Sequence, residues 1–364
     1  MSIRVAVVGA GVVGLAAASA LRQAGVEVRC FEKAVPGQGE SAGQTRIFRT
    51  AHGDPVLVRL AMQARAGWDR WERRYGRQLV GAEGMIVSGA PLVERWGWAM
   101  SEGGASHRPL TTNEVLDLLP YCRPPDGQAL LDPTAGAIRA SRTIDCLHTE
   151  LAPALIHAEV LELTATPAGM RVLTTIDTWE CDEVLLTAGS ATVALGAQVG
   201  VQLPTNLVRH ARFTYAPRNP QPPHAPACWI DESGAYGADL SSYGQPVGTT
   251  GQYAVGVHSA GTDFPASTST EEVGRRSREI AQRYVKAALP GLHPEPTAEL
   301  QCVYNSLGFP DGDGFAATRA EAITVFYGNN LFKFAPLLGD LLCQAILRHE
   351  VPADLMPLGI VSPR

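Results

Sequence analysis

At 364 residues, with 45% hydrophobic and 18% charged side chains, the chain can bury two ordinary cores and has the composition of a globular protein. Its formal net charge of −6, without a basic run, argues against nonspecific nucleic-acid binding, and no apolar run reaches the length of a transmembrane helix. The seven cysteines are scattered, odd in number and free of any CxxC pair, which argues against a disulfide framework and a zinc site and fits a reducing cytoplasm.

The first element is the β-branched run Ile3 to Val8, which reads as a buried parallel strand. "GAGVVG" follows, and then "LAAASALRQA", a small-residue helix ending at Gly25. Arg4, the apolar stretch and "AAASA" mimic a signal peptide, but cleavage there would destroy the strand–turn–helix unit. Val26 to Phe31 is the second strand and completes a βαβ unit. Gly9, Gly11 and Gly14 form GxGxxG in the context that gives the motif meaning, after a strand and opening a helix. The first glycine permits the tight turn, the second admits a pyrophosphate and the third lets helix and strand approach, so phosphates sit at the positive helix end. Glu32 ends the second strand, where a carboxylate can accept hydrogen bonds from ribose hydroxyls and repel the 2′-phosphate of NADP.

"ESAGQTRIFRTAHGD" comes next, and its spacing predicts Arg46 and Arg49 on one side of a helical turn. Residues 81–140 are turn-rich and mixed. A further buried strand reads at Glu183 to Thr187, running into Ala188 and Gly189. Residues 205–305 carry Pro- and Gly-rich loops, including a proline cluster at 217–226 that reads as a surface loop. A last strand at Ala322 to Tyr327 leads to Gly328, and an apolar helix begins near Pro336. Lys333, one of three lysines in the chain, stands in "NNLFKFAPLLGDLL", where an ammonium is costly without a partner. The pattern predicts an α/β chain, α+β overall, with a Rossmann-type domain from 1–80, 141–204 and 308–364. A mostly antiparallel β substrate domain from 81–140 and 205–307 is inserted into it.

The segments "VVGAGVVGLAAASALRQAG", "TRIFRTAHGD", "DPTAGAIRA", "LLTAG", "QCVYNS" and "LFKF" occur in the order and spacing of one family. On them the chain resembles the monomeric sarcosine oxidase and N-methyltryptophan oxidase group of the D-amino-acid oxidase superfamily. The resemblance implies FAD as cofactor, held by Gly9, Gly11, Gly14, Glu32, Arg46, Ala188, Gly189 and Lys333, and attached covalently through Cys302 of "QCVYNS". A thiolate there can attack the flavin if cations lower its pKa. It further implies Arg49 and Lys333 as the clamp on a substrate carboxylate, and Arg46, His258 and Tyr304 as residues at the reacting centre. The implied reaction is oxidation of an amine, an amino acid or an N-alkyl or cyclic amino acid, to an imine, with dioxygen as acceptor and hydrogen peroxide as product. No metal, nucleic acid or membrane is implied, and the expected assembly is a monomer or small homo-oligomer in the cytoplasm.

Two departures stand out. The family lysine four residues before the histidine is Ala254 here, after Tyr253, and the Gly/His-rich turn before the late lysine reads "YGNNLFK", with Asn329 and Asn330. His52 stands near a place where the family usually has tyrosine. The first departure leaves room for a dehydrogenase with another acceptor. A flavin monooxygenase is the other alternative, for which Gly339-Asp340 in an apolar helix is a poor fit.

Overall fold

A computed structural model describes residues 3–219, 224–248, 251–259, 262–309 and 312–355. Residues 220–223 of the proline cluster lie outside the described residues. The βαβ unit of the sequence is present as the strand Arg4–Val8, the helix Val12–Gln23 and the strand Glu27–Glu32. These strands sit inside a six-stranded sheet ordered Gly314–Ala320, Ile323–Asn329, Glu183–Leu186, Arg4–Val8, Glu27–Glu32, Leu155–His157. All neighbours are parallel except the first pair. Side chains on a strand alternate between faces. Val5, Val7 and Leu185 therefore join the core under the helices, whereas Ala6, Val8, Val184 and Leu186 face Met170, Val172 and Trp179 of a three-stranded meander. Burial on both sides explains why these strands read as unbroken apolar runs.

The last helix, Ala335–Arg348, has Pro336 in its first turn and packs across Val12–Gln23. A Cβ on Gly339 would lie 2.8 Å from the Ala16 carbonyl oxygen, so this glycine serves helix packing. Asp340 pairs with Arg70 at 2.5 Å. Gly339-Asp340 is thus a packing and surface feature of the helix.

A nine-stranded sheet combines early and late segments. Its path runs Phe264–Pro265, Leu207–Pro217, Gln252–His258, Ser241–Val247, Cys228–Asp231, Met85–Ser88, Ala129–Asp132, Arg108–Leu110, with Leu292–Asn305 also paired to Leu207–Pro217. All pairings are antiparallel except Met85–Ser88 with Cys228–Asp231. The helix Thr270–Ala288 covers one face, where Val273, Tyr284 and Val285 join Phe213, Tyr215, Tyr253 and Val255 in a core. Against the opposite face packs the ribbon of Thr45–Phe48 and Gly136–Arg139, where Arg212 donates to the Thr45 carbonyl at 3.0 Å. Among the described residues no helix is long and apolar enough to cross a membrane.

The glycine turn is where sequence choice is tightest. Gly9 has φ +98°, and a Cβ on Gly14 would sit 1.9 Å from the Gly9 carbonyl oxygen. Gly14→Ala is therefore expected to cost about 1–3 kcal/mol through overpacking. Gly39→Ala, where nothing lies within 4 Å, should stay within about 0.5 kcal/mol of wild type. Urea midpoints check this; equal midpoints for the two variants would contradict it.

Candidate active site

The first wall is the turn after Arg4–Val8. A Cβ on Gly11 would meet only Ser41 Oγ, at 3.5 Å, so the turn leaves room beside the amide groups that open the helix. The Val12 amide donates to Ser41 Oγ at 3.0 Å. Glu32 accepts from the amides of Ala10 (2.9 Å) and Ala34 (3.0 Å), one on each carboxylate oxygen, which fixes its direction and leaves further lone pairs. Ala188 and Gly189 lie against the same turn: a Cβ on Gly9 would come 2.7 Å from Ala188 Cα. Glu40 lies close to Gly189, and burial pushes its carboxyl up to about 7.

The second wall is the face of the nine-stranded sheet opposite the helix Thr270–Ala288. Residues paired across antiparallel strands share a face. The pairs His210–Cys302, Arg212–Gly256, Arg212–Leu300, Tyr243–Gly256, Gln245–Ala254 and Val208–Tyr304 therefore place these side chains together, with His258 two residues beyond Gly256. His258 stacks on His210 with ring centroids 4.6 Å apart and lies 5.4 Å from the Tyr243 ring. Burial, and then His210, push the His258 imidazole down to about 4. His210 Nδ1 is 3.2 Å from Asp263, and its Nε2 is 3.4 Å from the Tyr243 hydroxyl. The Tyr304 hydroxyl donates to the same Asp263 at 3.4 Å. His210, His258 and Asp263 also bring possible metal-ligating atoms within 4.8 Å of one another.

Arg46 reaches this wall from the strand Thr45–Phe48. The sequence spacing predicts a helical turn with Arg46 and Arg49 together, but Thr45–Phe48 is a strand paired with Gly136–Arg139, and Arg49 follows beyond its end. Arg46 donates to the carbonyls of Thr45, Glu40 and Ala42 at 2.8, 2.9 and 2.6 Å. Burial, then Arg212, lower the Arg46 guanidinium to about 9. Burial raises the Cys302 thiol, while the charges of Arg46 and Arg212 act in the opposite direction.

Arg49 and Lys333 do come together, but around the chain's own Asp313. Lys333 Nζ bonds Asp313 Oδ1 at 2.9 Å, Arg49 bonds Oδ2, and His52 Nδ1 is 3.1 Å from Oδ2. Asp313 and His52 are fully buried, and Arg49 and Lys333 are 6% and 5% exposed. Burial pushes Asp313 up, but Arg49 and Lys333 overcome it and hold the carboxyl well below its usual range. Burial, opposed by Asp313, brings Lys333 to about 8, and burial with Arg49 brings His52 to about 3. The segment carrying Arg49 and His52 is tied down by buried Asp132, which accepts from the amides of Thr50 (2.6 Å) and Ala51 (2.9 Å).

The family model "FAD dependent oxidoreductase" (DAO) matches residues 4–345. The chain belongs to this family. No curated protein sequence matches it significantly. Among solved structures, the oxidoreductase is similar to NikD, described as an unusual amino acid oxidase essential for nikkomycin biosynthesis, with a TM-score of 0.84, 22% identity and coverage of 100% of this chain and 99% of that one. L-proline dehydrogenase from P. horikoshii gives 0.81 at 19% identity, covering 98% and 97%. Glycine oxidase from Geobacillus kaustophilus gives 0.80 at 20% identity, covering 99% and 100%. All three are below 25% identity and establish the fold.

FAD is the cofactor of the oxidoreductase, and the first wall fits it: an open glycine turn, helix-start amides and an oriented Glu32 suit a pyrophosphate and a ribose. Ser41, Arg212, Tyr243, Gln245 and Asp313 also lie in these walls and clusters, and the motifs do not announce them. For Arg212 and His210 the available signal is the period-two alternation of "VRHARFTY", which puts polar side chains on the face away from the core.

The oxidoreductase should keep His258 neutral at pH 7. Because its folded pKa is depressed, the associated stability is present above about pH 6.5 and is lost as pH falls towards 4. Nitrogen-15 NMR of labelled histidine should show one imidazole, absent in His258→Gln, titrating near pH 4. An ordinary titration at pH 6.5 would contradict this.

Proposed function

We propose that the oxidoreductase converts the C–N bond of a small primary or secondary amine to an imine. The observation that carries this reading is the single sheet face that gathers Arg212, Tyr243, His258, Cys302 and Tyr304, with Arg46 entering beside it. Bound FAD supplies the acceptor for a hydride from the carbon bearing nitrogen. The chain's own residues do the rest. A neutral His258 can accept a hydrogen bond from the N–H of an amine that arrives unprotonated, orienting the nitrogen lone pair that assists hydride departure. Tyr304, whose phenol is raised by burial and then Asp263, remains a hydrogen-bond donor. Arg46 and Arg212 place positive charge where negative charge builds during reduction.

Cys302 is our candidate for a covalent flavin link. It lies on the wall with Arg46 and Arg212, the two cations that ease its deprotonation. The expected acceptor of the electrons is dioxygen. A second reading, a dehydrogenase with another acceptor, is favoured by one observation: Ala254 and its sheet partners Gln245 and Thr214 are all uncharged, and no polar atom of the buried Gln245 amide has a hydrogen-bond partner.

Purified enzyme should be yellow and should bleach anaerobically with at least one small amine. Reduction by dithionite but by no amine would refute the reading. Cys302→Ser should release flavin into the supernatant after acid precipitation, whereas wild type retains it in the pellet. Free flavin from both would remove the covalent link and leave amine oxidation standing. Ala254→Lys should reoxidise faster than wild type on mixing the reduced enzyme with oxygenated buffer. An unchanged rate would show that another cation already serves dioxygen.

A further inference from the structure

The seat that Arg49 and Lys333 offer to a carboxylate is filled by the protein itself. Asp313 has no exposed surface and touches Arg49, Lys333 and His52. Arg49 is engaged in three directions: one terminal nitrogen bonds Asp313, the other bonds the Ala51 carbonyl, and its plane lies over the Trp96 ring at 4.4 Å. A bidentate grip on an external carboxylate needs two guanidinium nitrogens aimed the same way; here the terminal pair is divided between two partners. Lys333 is equally fixed, since the Trp68 indole donates to its carbonyl at 2.8 Å and its ammonium bonds Asp313.

A substrate carboxylate entering this cluster would meet a second negative charge. Displacing Asp313 instead would strand a buried carboxylate away from its three partners, which is strongly unfavourable. His52 offers no third cation to hold two carboxylates, because burial keeps it neutral. Asp313 directly precedes the strand Gly314–Ala320, and Asp132 holds the segment that bears its partners Arg49 and His52.

We infer that Asp313 is a built-in carboxylate that occupies the anion seat, so that the enzyme selects amines lacking a carboxylate on the carbon next to nitrogen. The inference rests on the amine-oxidation reading and narrows it to a substrate class. It makes Asp313 a specificity-determining residue whose removal opens the seat to amino acids.

The test uses holoenzyme and the flavin absorption spectrum, with acetate and benzoate as carboxylate probes. Wild type should show no saturable spectral change at probe concentrations that saturate Asp313→Asn, a difference of at least about tenfold in apparent affinity. In anaerobic mixing, pyrrolidine and N-methylbenzylamine should reduce wild type faster than proline and sarcosine, and Asp313→Asn should shift that preference towards the amino acids. Saturable carboxylate binding to wild type as tight as to the variant, or a wild type that prefers the amino acids, would overturn the inference. Should Asp313→Asn lose its flavin, wild type alone decides: saturable probe binding overturns the proposal, and its absence upholds it. Failure of the amine-oxidation reading would show separately, as flavin that no amine reduces, while the probe titration still reads the seat.

Discussion

The ion cluster around Asp313 is the constraint on which the placement of the site depends. It joins three stretches distant in sequence: the segment after the strand Thr45–Phe48, the approach to the strand Gly314–Ala320, and the turn Leu331–Phe334 before the last helix. Two cations and one carboxylate with almost no exposed surface form a costly arrangement unless each group is held by others. Asp132 beneath the Arg49 segment, Trp68 on the Lys333 backbone, Trp96 over the guanidinium and Phe334 stacked 5.6 Å from His52 supply that support. The cluster thus ties the edge of the nucleotide-binding sheet to the Arg49 segment, and Asp132 at the end of Ala129–Asp132 in the nine-stranded sheet holds that segment by hydrogen bonds.

From that junction outwards, the β register distributes roles. On Gln252–His258, Tyr253, Val255 and Val257 face the core under the helix Thr270–Ala288, while Ala254, Gly256 and His258 face the other way. The same alternation sets Phe213 and Tyr215 inward and His210 and Arg212 outward. A register slip of one residue would exchange the two sets, so the packing of the core also fixes the chemistry. Small residues at 254 and 256 leave the middle of that face to the Tyr243 ring, which a Cβ on Gly256 would meet at 2.2 Å.

The nucleotide-binding unit was legible because its signals are local: a strand, three glycines, a helix and an acid within thirty-two residues. The strands at Glu183 and Ile323 and the proline of the last helix are legible for the same reason, although the first ends at Leu186 and the second runs through Gly328 to Asn329. Arg46 and Arg49 do not share a helical turn, because Thr45–Phe48 pairs with Gly136–Arg139 as a strand and Arg49 lies beyond its end, a pairing that local spacing does not announce. Lys333 reads as needing a buried anion, and Asp313 supplies one. Asp313 lies in "DGDG", a stretch that reads as a turn, and its partners are 264 and 20 residues away. Nothing local announces a contact of that range. The same holds for Gln245, whose position beside Ala254 follows from antiparallel pairing alone.

The most direct measurement is a high-resolution crystal structure of the FAD-loaded enzyme grown with a high concentration of acetate. The account requires Asp313 to remain between Arg49 and Lys333, with Arg46, His258, Cys302 and Tyr304 lining the flavin and no acetate between the two cations. Acetate bridging Arg49 and Lys333, with Asp313 turned away, would contradict it.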